Sequence, residues 1–196
     1  DSAHDRFGAT VSLSALGDIV AVGSEKVDKV PGDSNERDKG LARVYKWNGS
    51  NYVQMGPDFY GEIKDDETAR HVSLSADGYT IAISGHDVDV LFGNDGIVRV
   101  YDFNDQSEVW EERTGTSIEL VDPGTNERFG YEGVSLSADG NYVAILSSYA
   151  GYVFGWDDVE ESWVRVGEVF EQSTDQPDDG GEYGFSSISL NKSVSM

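Results

Sequence analysis

Val134-Ser135-Leu136-Ser137-Ala138-Asp139-Gly140 decides how the rest of the chain is read, because the chain spells it repeatedly. Upstream it stands as Val72-Ser73-Leu74-Ser75-Ala76-Asp77-Gly78, and before that as Val11-Ser12-Leu13-Ser14-Ala15-Leu16-Gly17. A last copy, Ile188-Ser189-Leu190-Asn191-Lys192-Ser193, lies near the end, so one unit recurs at steps of 61, 62 and 54 residues. Each copy alternates apolar and small polar residues and then reaches Gly or its stand-in. That is the pattern of a half-buried strand running into a tight turn, and its recurrence marks a repeat protein.

Working outward, the same scheme follows each copy. After the first comes Ile19-Val20-Ala21-Val22-Gly23, whose near-continuous apolarity predicts a strand buried on both faces. A polar insert from 24 to 39 reads as a loop, and Gly40 to Trp47 as the third strand. Asn48-Gly49 then gives a hairpin, because both central residues of a type I′ turn need positive φ, and Tyr52 to Met55 is the fourth strand. The second unit repeats this with Tyr79 to Ser84, an acidic insert from 85 to 95, Gly96 to Phe103, and Val109 to Arg113. In the third, Tyr142 to Leu146 is followed by a short link at Ser147-Ser148, then Gly151 to Trp156 and Trp163 to Val166.

Four strands per unit, with no segment of helical period, make the chain all-β, and consecutive four-stranded units are how propeller blades are written. The expectation is a partial β-propeller: three four-stranded blades plus the first strand of a fourth. The blades fall at about residues 5–65, 66–126 and 127–181, with the start of the fourth at 182–196. Tyr45, Tyr101 and Phe154 align between units, as do Trp47, Phe103 and Trp156; aromatics recurring in this way are expected to pack between neighbouring sheets. Three blades and a strand cannot close a ring, so the chain is expected to be a fragment of a longer protein, or an arc completed by another chain.

Arg6-Phe7-Gly8 before the first copy, Arg128-Phe129-Gly130 before the third, and the strands carrying Arg43-Val44-Tyr45 and Arg99-Val100-Tyr101 complete a pattern that resembles the FG-GAP repeat of integrin α chains. The resemblance runs over nearly the whole chain. It implies an integrin-α-like β-propeller that serves in adhesion at a cell surface. Unit two departs from it, with Glu67-Thr68-Ala69 in the lead position, and the Asp-x-Asp-x-Asp-Gly calcium loop of the integrin repeat has no counterpart here.

Thirty-seven acidic against fourteen basic residues leave a formal charge of −23, which repels nucleic acid and anionic membranes. There is no long apolar run to insert into a membrane. Without cysteine the chain has neither disulfides nor a thiolate nucleophile. The sequons at Asn48 and Asn191 are compatible with an extracellular or surface location.

Oxygen-rich inserts are the candidate metal sites: Asp28, Asp33, Asn35 and Asp38 in the first, and the favoured set Asp87, Asp89, Asn94 and Asp95 in the second, where Ca²⁺ would be the hard cation to gather. His4, His71 and His86 sit in different elements with no Ser or Asp at a nucleophile's spacing, and Ser84-Gly85-His86-Asp87 lacks a strand-to-helix elbow. The expectation is therefore no enzyme. Tyr149, Tyr152, Trp156 and Trp163 are candidates to stack on a glycan or anchor a protein. The sequence as a whole predicts a scaffold or adhesion module that binds a protein partner, or further blades of the same parent, through loops on one rim, with a calcium-dependent or glycan-binding module as the alternative.

Overall fold

A computed structural model describes residues 5–62, 65–85, 96–113, 118 and 128–171. None of these is helical. The first sheet is the antiparallel meander β1 (Thr10–Leu13), β2 (Ile19–Ser24), β3 (Leu41–Trp47) and β4 (Tyr52–Gln54), with β5 (Phe59–Tyr60) added to β3. The second is β6 (Val72–Leu74), β7 (Thr80–Gly85), β8 (Ile97–Asn104) and β9 (Val109–Glu112). The third is β10 (Gly133–Leu136), β11 (Tyr142–Leu146), β12 (Ala150–Asp157) and β13 (Ser162–Arg165), with β14 (Phe170–Glu171) on β12. Registers repeat: Val11 faces Val22, Val72 faces Ile83 and Val134 faces Ile145.

The repeated motif is a turn that closes on its own side chains. Ser75 Oγ donates to Asp77 (2.5 Å) and accepts from the Thr80 amide (3.1 Å), while Asp77 also accepts from the Tyr79 amide (3.0 Å). Ser137 and Asp139 do the same with the Tyr142 and Asn141 amides. Those donors hold the Asp139 carboxyl below the usual carboxylate range, Ser137 foremost. In the first copy Leu16 stands where the aspartate should be, and Asp18, on the other side of Gly17, takes the Ser14 hydroxyl instead (2.7 Å).

Successive sheets are sewn together along their first strands. Ser12 Oγ accepts from the Leu74 amide and Ser73 Oγ from the Leu136 amide, both at 3.0 Å. The Ala15 amide donates to Ala76 O (2.7 Å), and the Ala76 amide to Ala138 O (2.9 Å). First strands therefore line the inside of an arc, as in a propeller, and the all-β partial propeller expected from the repeat is the fold found.

Two apolar layers fill the spaces between sheets. Ile19, Ala21, Ala42 and Val44 meet Leu74, Ile81, Ile83 and Trp110 in one; Ala82, Val98 and Val100 meet Phe129, Leu136, Ile145 and Phe154 in the other. β7 lies between both layers and is buried along its whole length. β2, whose near-continuous apolarity predicted burial on both faces, buries Ile19 and Ala21 but leaves Val20 and Val22 only partly buried on the face it shares with Val11 and Leu13. Three of the recurring aromatics serve these layers, Tyr101 packing on Phe59, Phe103 on Trp110 and Phe154 on Phe129. Trp47 and Trp156, expected to pack between sheets, instead lie against Tyr52 and Trp163 of their own sheets, Trp47 exposed. The Trp110 indole N–H reaches back to Met55 O across the first layer (2.9 Å).

The leads of the second and third units clamp the sheet before them. At Gly96 φ is +73° and an added Cβ would lie 2.2 Å from Phe129 O; Gly40 makes the same approach to Thr68. Thr68 and Phe129 thus occupy one repeat position. Glu67-Thr68-Ala69, the departure in unit two, keeps the backbone of the other leads, with positive φ at Arg6, Glu67 and Arg128 alike. The strand expected to open a fourth blade, in 182–196, lies outside the described residues.

Candidate functional site

A meander places its β1–β2 and β3–β4 turns on one rim and the leads and β2–β3 inserts on the other. On the insert rim, charged and aromatic side chains from all three sheets join. Glu25, just past β2, accepts from Arg6 on one oxygen and Arg70 on the other, both at 3.1 Å. Arg70 also donates from Nε to Tyr131 O (3.1 Å) and lies over the Tyr131 ring at 3.8 Å, a cation–π distance. Arg128 approaches the same ring from 5.2 Å. The result is an arginine collar on a chain that is otherwise strongly acidic.

His71 belongs to this collar, its Nε2 lying 2.9 Å from Tyr131 O. Its backbone N–H donates to Ser84 Oγ (3.1 Å), which fixes the ring's place at the head of β6. Burial pushes its pKa down and the neighbouring Arg70 charge does so too, against the Tyr131 carbonyl, Glu25 and Glu132. A neutral ring donating from Nε2 keeps Nδ1 as its basic nitrogen. Sequence reasoning set His71 aside because no Ser or Asp stands at a nucleophile's spacing from it; its ring partner Tyr131 is 60 residues away, and only the arc brings the two together.

A second concave feature opens between the first and second sheets, a recess of about 210 Å³ lined by Asp58, Tyr60, Thr68, Arg99 and Tyr101 among others. Arg43 grips Asp58 with two bonds of 2.7 Å, which hold the Asp58 carboxyl low and raise the guanidinium's affinity for its proton. Arg99 lies 3.4 Å from Glu62 and 3.9 Å from Glu112. Burial raises the Glu112 pKa, and burial pushes the Tyr101 phenol up to about 12.

The favoured calcium residues Asp87, Asp89, Asn94 and Asp95 lie outside the described residues, as do His4 and His86. The first insert spends its carboxylates on itself: Asp28 accepts from the Asp38 amide, Asp33 from the Asn35 amide, and Lys39 pairs with Glu36. Among the described residues, no three His, Asp or Glu gather in a way that would hold a metal. Of the aromatics expected to meet a ligand, Tyr149 is exposed, whereas Tyr152 is buried on Phe129 and Trp156 and Trp163 stack on each other beneath Arg113. Tyr152 stands at the register position of Arg43 and Arg99, on the face of β12 that turns to the second sheet, and there it joins the second apolar layer.

No family model matches the sequence, and no curated protein matches it. Solved structures do. A candidate 6-phosphogluconolactonase from Bacteroides fragilis superposes with a TM-score of 0.54 and 10% identity over 82% of this chain and 38% of its own. Another from Bacteroides uniformis gives 0.52 and 14%, over 83% and 40%. The beta-propeller domain of Myceliophteria thermophila Cps50 (Swd1) gives 0.48 and 16%, over 84% and 43%. The chain thus spans about two fifths of the length of these structures. At such identities the likeness is one of fold, and the FG-GAP resemblance comes down to a propeller-like fold. The expectation that the chain is no enzyme is corrected by the same finding, because candidate lactonases share the frame and the frame therefore gives no ground for excluding catalysis.

Proposed function

We propose that the chain is a propeller interaction module that receives a protein partner on the insert rim, with the arginine collar as its anchor. One observation carries this reading: Arg6, Arg70 and Arg128, drawn from the leads of three units, converge around Glu25 and Tyr131 on a molecule whose formal charge is −23. Arginines stacked on an aromatic and presented at a rim suit an acidic or carboxylate-bearing surface on the partner. In the test, immobilised chain captures a partner from an extract of its source cells. Capture should be lost with Arg6→Ala plus Arg128→Ala and kept with Asp77→Asn on the opposite rim. Equal capture by all three sinks the reading. Placement at a cell surface in an FG-GAP-like adhesive assembly, Ca²⁺ on Asp87, Asp89, Asn94 and Asp95, and a glycan on Tyr149 belong to the same proposal. Calorimetric titration with CaCl₂ and a glycan array test the last two.

A second reading has its own observation, a partly buried histidine beside Glu25 and Arg70 at the collar, its pKa lowered by burial, in a frame shared with candidate lactonases. His71 would act as a general base toward water and Arg70 would steady an anionic substrate. Lactone hydrolysis that vanishes in His71→Gln would support it, and hydrolysis unchanged in that variant would defeat it.

A further inference from the structure

One turn position is written differently in the three sheets. Asn48, Asn104 and Asp157 follow the matched aromatics Trp47, Phe103 and Trp156, and each side chain folds back so that its Oδ1 accepts two main-chain amides. Asn48 accepts from Ser50 and Asn51 (3.0 and 2.9 Å), Asn104 from Gln106 and Ser107 (2.9 and 3.2 Å), and Asp157 from Val159 and Glu160 (2.8 and 3.2 Å). What differs is the neighbour and the other half of the side chain. Asn104 precedes Asp105, and its Nδ2 donates to Glu111 (2.9 Å). Asn48 precedes Gly49, where an added Cβ would meet nothing within 4 Å, and among the described residues nothing bonds its Nδ2. The tip is exposed, as are all three residues of β4 beyond it.

We propose that Asn48 is a modification site, at which the folded chain loses the side-chain amide without an enzyme. The Gly49 main-chain nitrogen attacks Cγ of Asn48. A bond forms between the two, the Cγ–Nδ2 bond breaks, and ammonia leaves with the proton that Gly49 gave up. Water then opens the resulting five-membered imide, at one carbonyl to aspartate and at the other to isoaspartate. Attack drives negative charge onto Oδ1, where the Ser50 and Asn51 amides are already aimed as the donors of an oxyanion hole. Glycine leaves the attacking nitrogen unshielded and lets the backbone turn into the ring. The hairpin end opens easily, because β4 buries nothing. The third sheet displays the aspartate product in place, since Asp157 keeps the same two bonds as a carboxylate. Isoaspartate lengthens the main chain by a carbon and works against the bond from the Asn48 amide to Asn51 O (3.0 Å). The turn lies on the rim opposite the arginine collar, so the modification stands apart from the partner proposed there.

The test uses chain made in a host that attaches no glycan to Asn48, held folded at neutral pH and body temperature, then digested at intervals and its peptides separated and weighed. The peptide around Asn48 should turn from amide to acid, as aspartate and isoaspartate together, while the peptide around Asn104 keeps its amide. Gly49→Ala puts a methyl group beside the attacking nitrogen and should slow conversion by more than about tenfold. Open space around Gly49 lets that variant keep its fold, which circular dichroism will show. An Asn48 that stays an amide in the folded chain and is lost only in urea overturns the proposal. So does an Asn104 that converts as fast as Asn48, or a Gly49→Ala chain that converts at the original rate, since either would take the glycine out of the chemistry.

Discussion

At the scale of single residues, His71 shows how the arc sets chemistry that local sequence does not. In the unfolded chain a histidine titrates near ~6.5. In the fold, burial lowers that value, so below ~6.5 the unfolded state binds more protons and stability falls with pH until the folded pKa is passed. The contribution is complete above ~6.5 and shrinks below it. His71→Gln keeps a donor for Tyr131 O and removes the charge, so the slope of stability between about pH 7 and 5 should flatten by up to one proton. Urea midpoints measured across that range in both proteins check this; identical slopes would mean that His71 is already open to water. The same holds for Arg70, whose partners Glu25 and Tyr131 lie 45 and 61 residues away. No spacing rule reaches that far.

At the scale of elements, stability is concentrated where leads cross onto the preceding sheet. Gly96→Ala adds a Cβ 2.2 Å from Phe129 O at a φ of +73°, while Gly17→Ala, at +71°, meets nothing within 4 Å. The first substitution should cost about 3 kcal/mol and the second about 1 kcal/mol, the backbone penalty alone, as read by urea unfolding. Phe129→Ala should cost about 3–5 kcal/mol, since the ring is fully buried between Tyr152 and Phe154. Phe7→Ala, at the same repeat position but exposed, should cost less than about 1 kcal/mol in the single chain. Equal costs at Phe7 and Phe129 would contradict the register of the repeat.

The strands of this scaffold were legible because alternation and Gly-bearing turns are local signals, and the serine and aspartate of each turn bond within five residues of themselves. The two-residue strands β5 and β14 were not legible. Phe59-Tyr60 and Phe170-Glu171 pair with β3 and β12 only after a link has brought them back, which leaves no periodicity to read. Glu67-Thr68-Ala69 read as a departure because its letters differ. Its backbone does not differ, since a buried alanine with φ of +66° serves where the other leads use glycine.

At the scale of the whole molecule, the same unit is written three times into three different environments, and local stability should follow the environment rather than the letters. β7 is buried along its length between both apolar layers, whereas β1, with a comparable register, turns Val11 and Leu13 to solvent. Opening β1 exposes little new apolar surface; opening β7 breaks both layers at once. In dilute solution, amide exchange should therefore be slowest in β7 and β11, faster in β1 and fastest in β4, whose three residues are all exposed. Exchange that is uniform across the three sheets would mean that the units unfold as one block, with no stability carried by the layers between them.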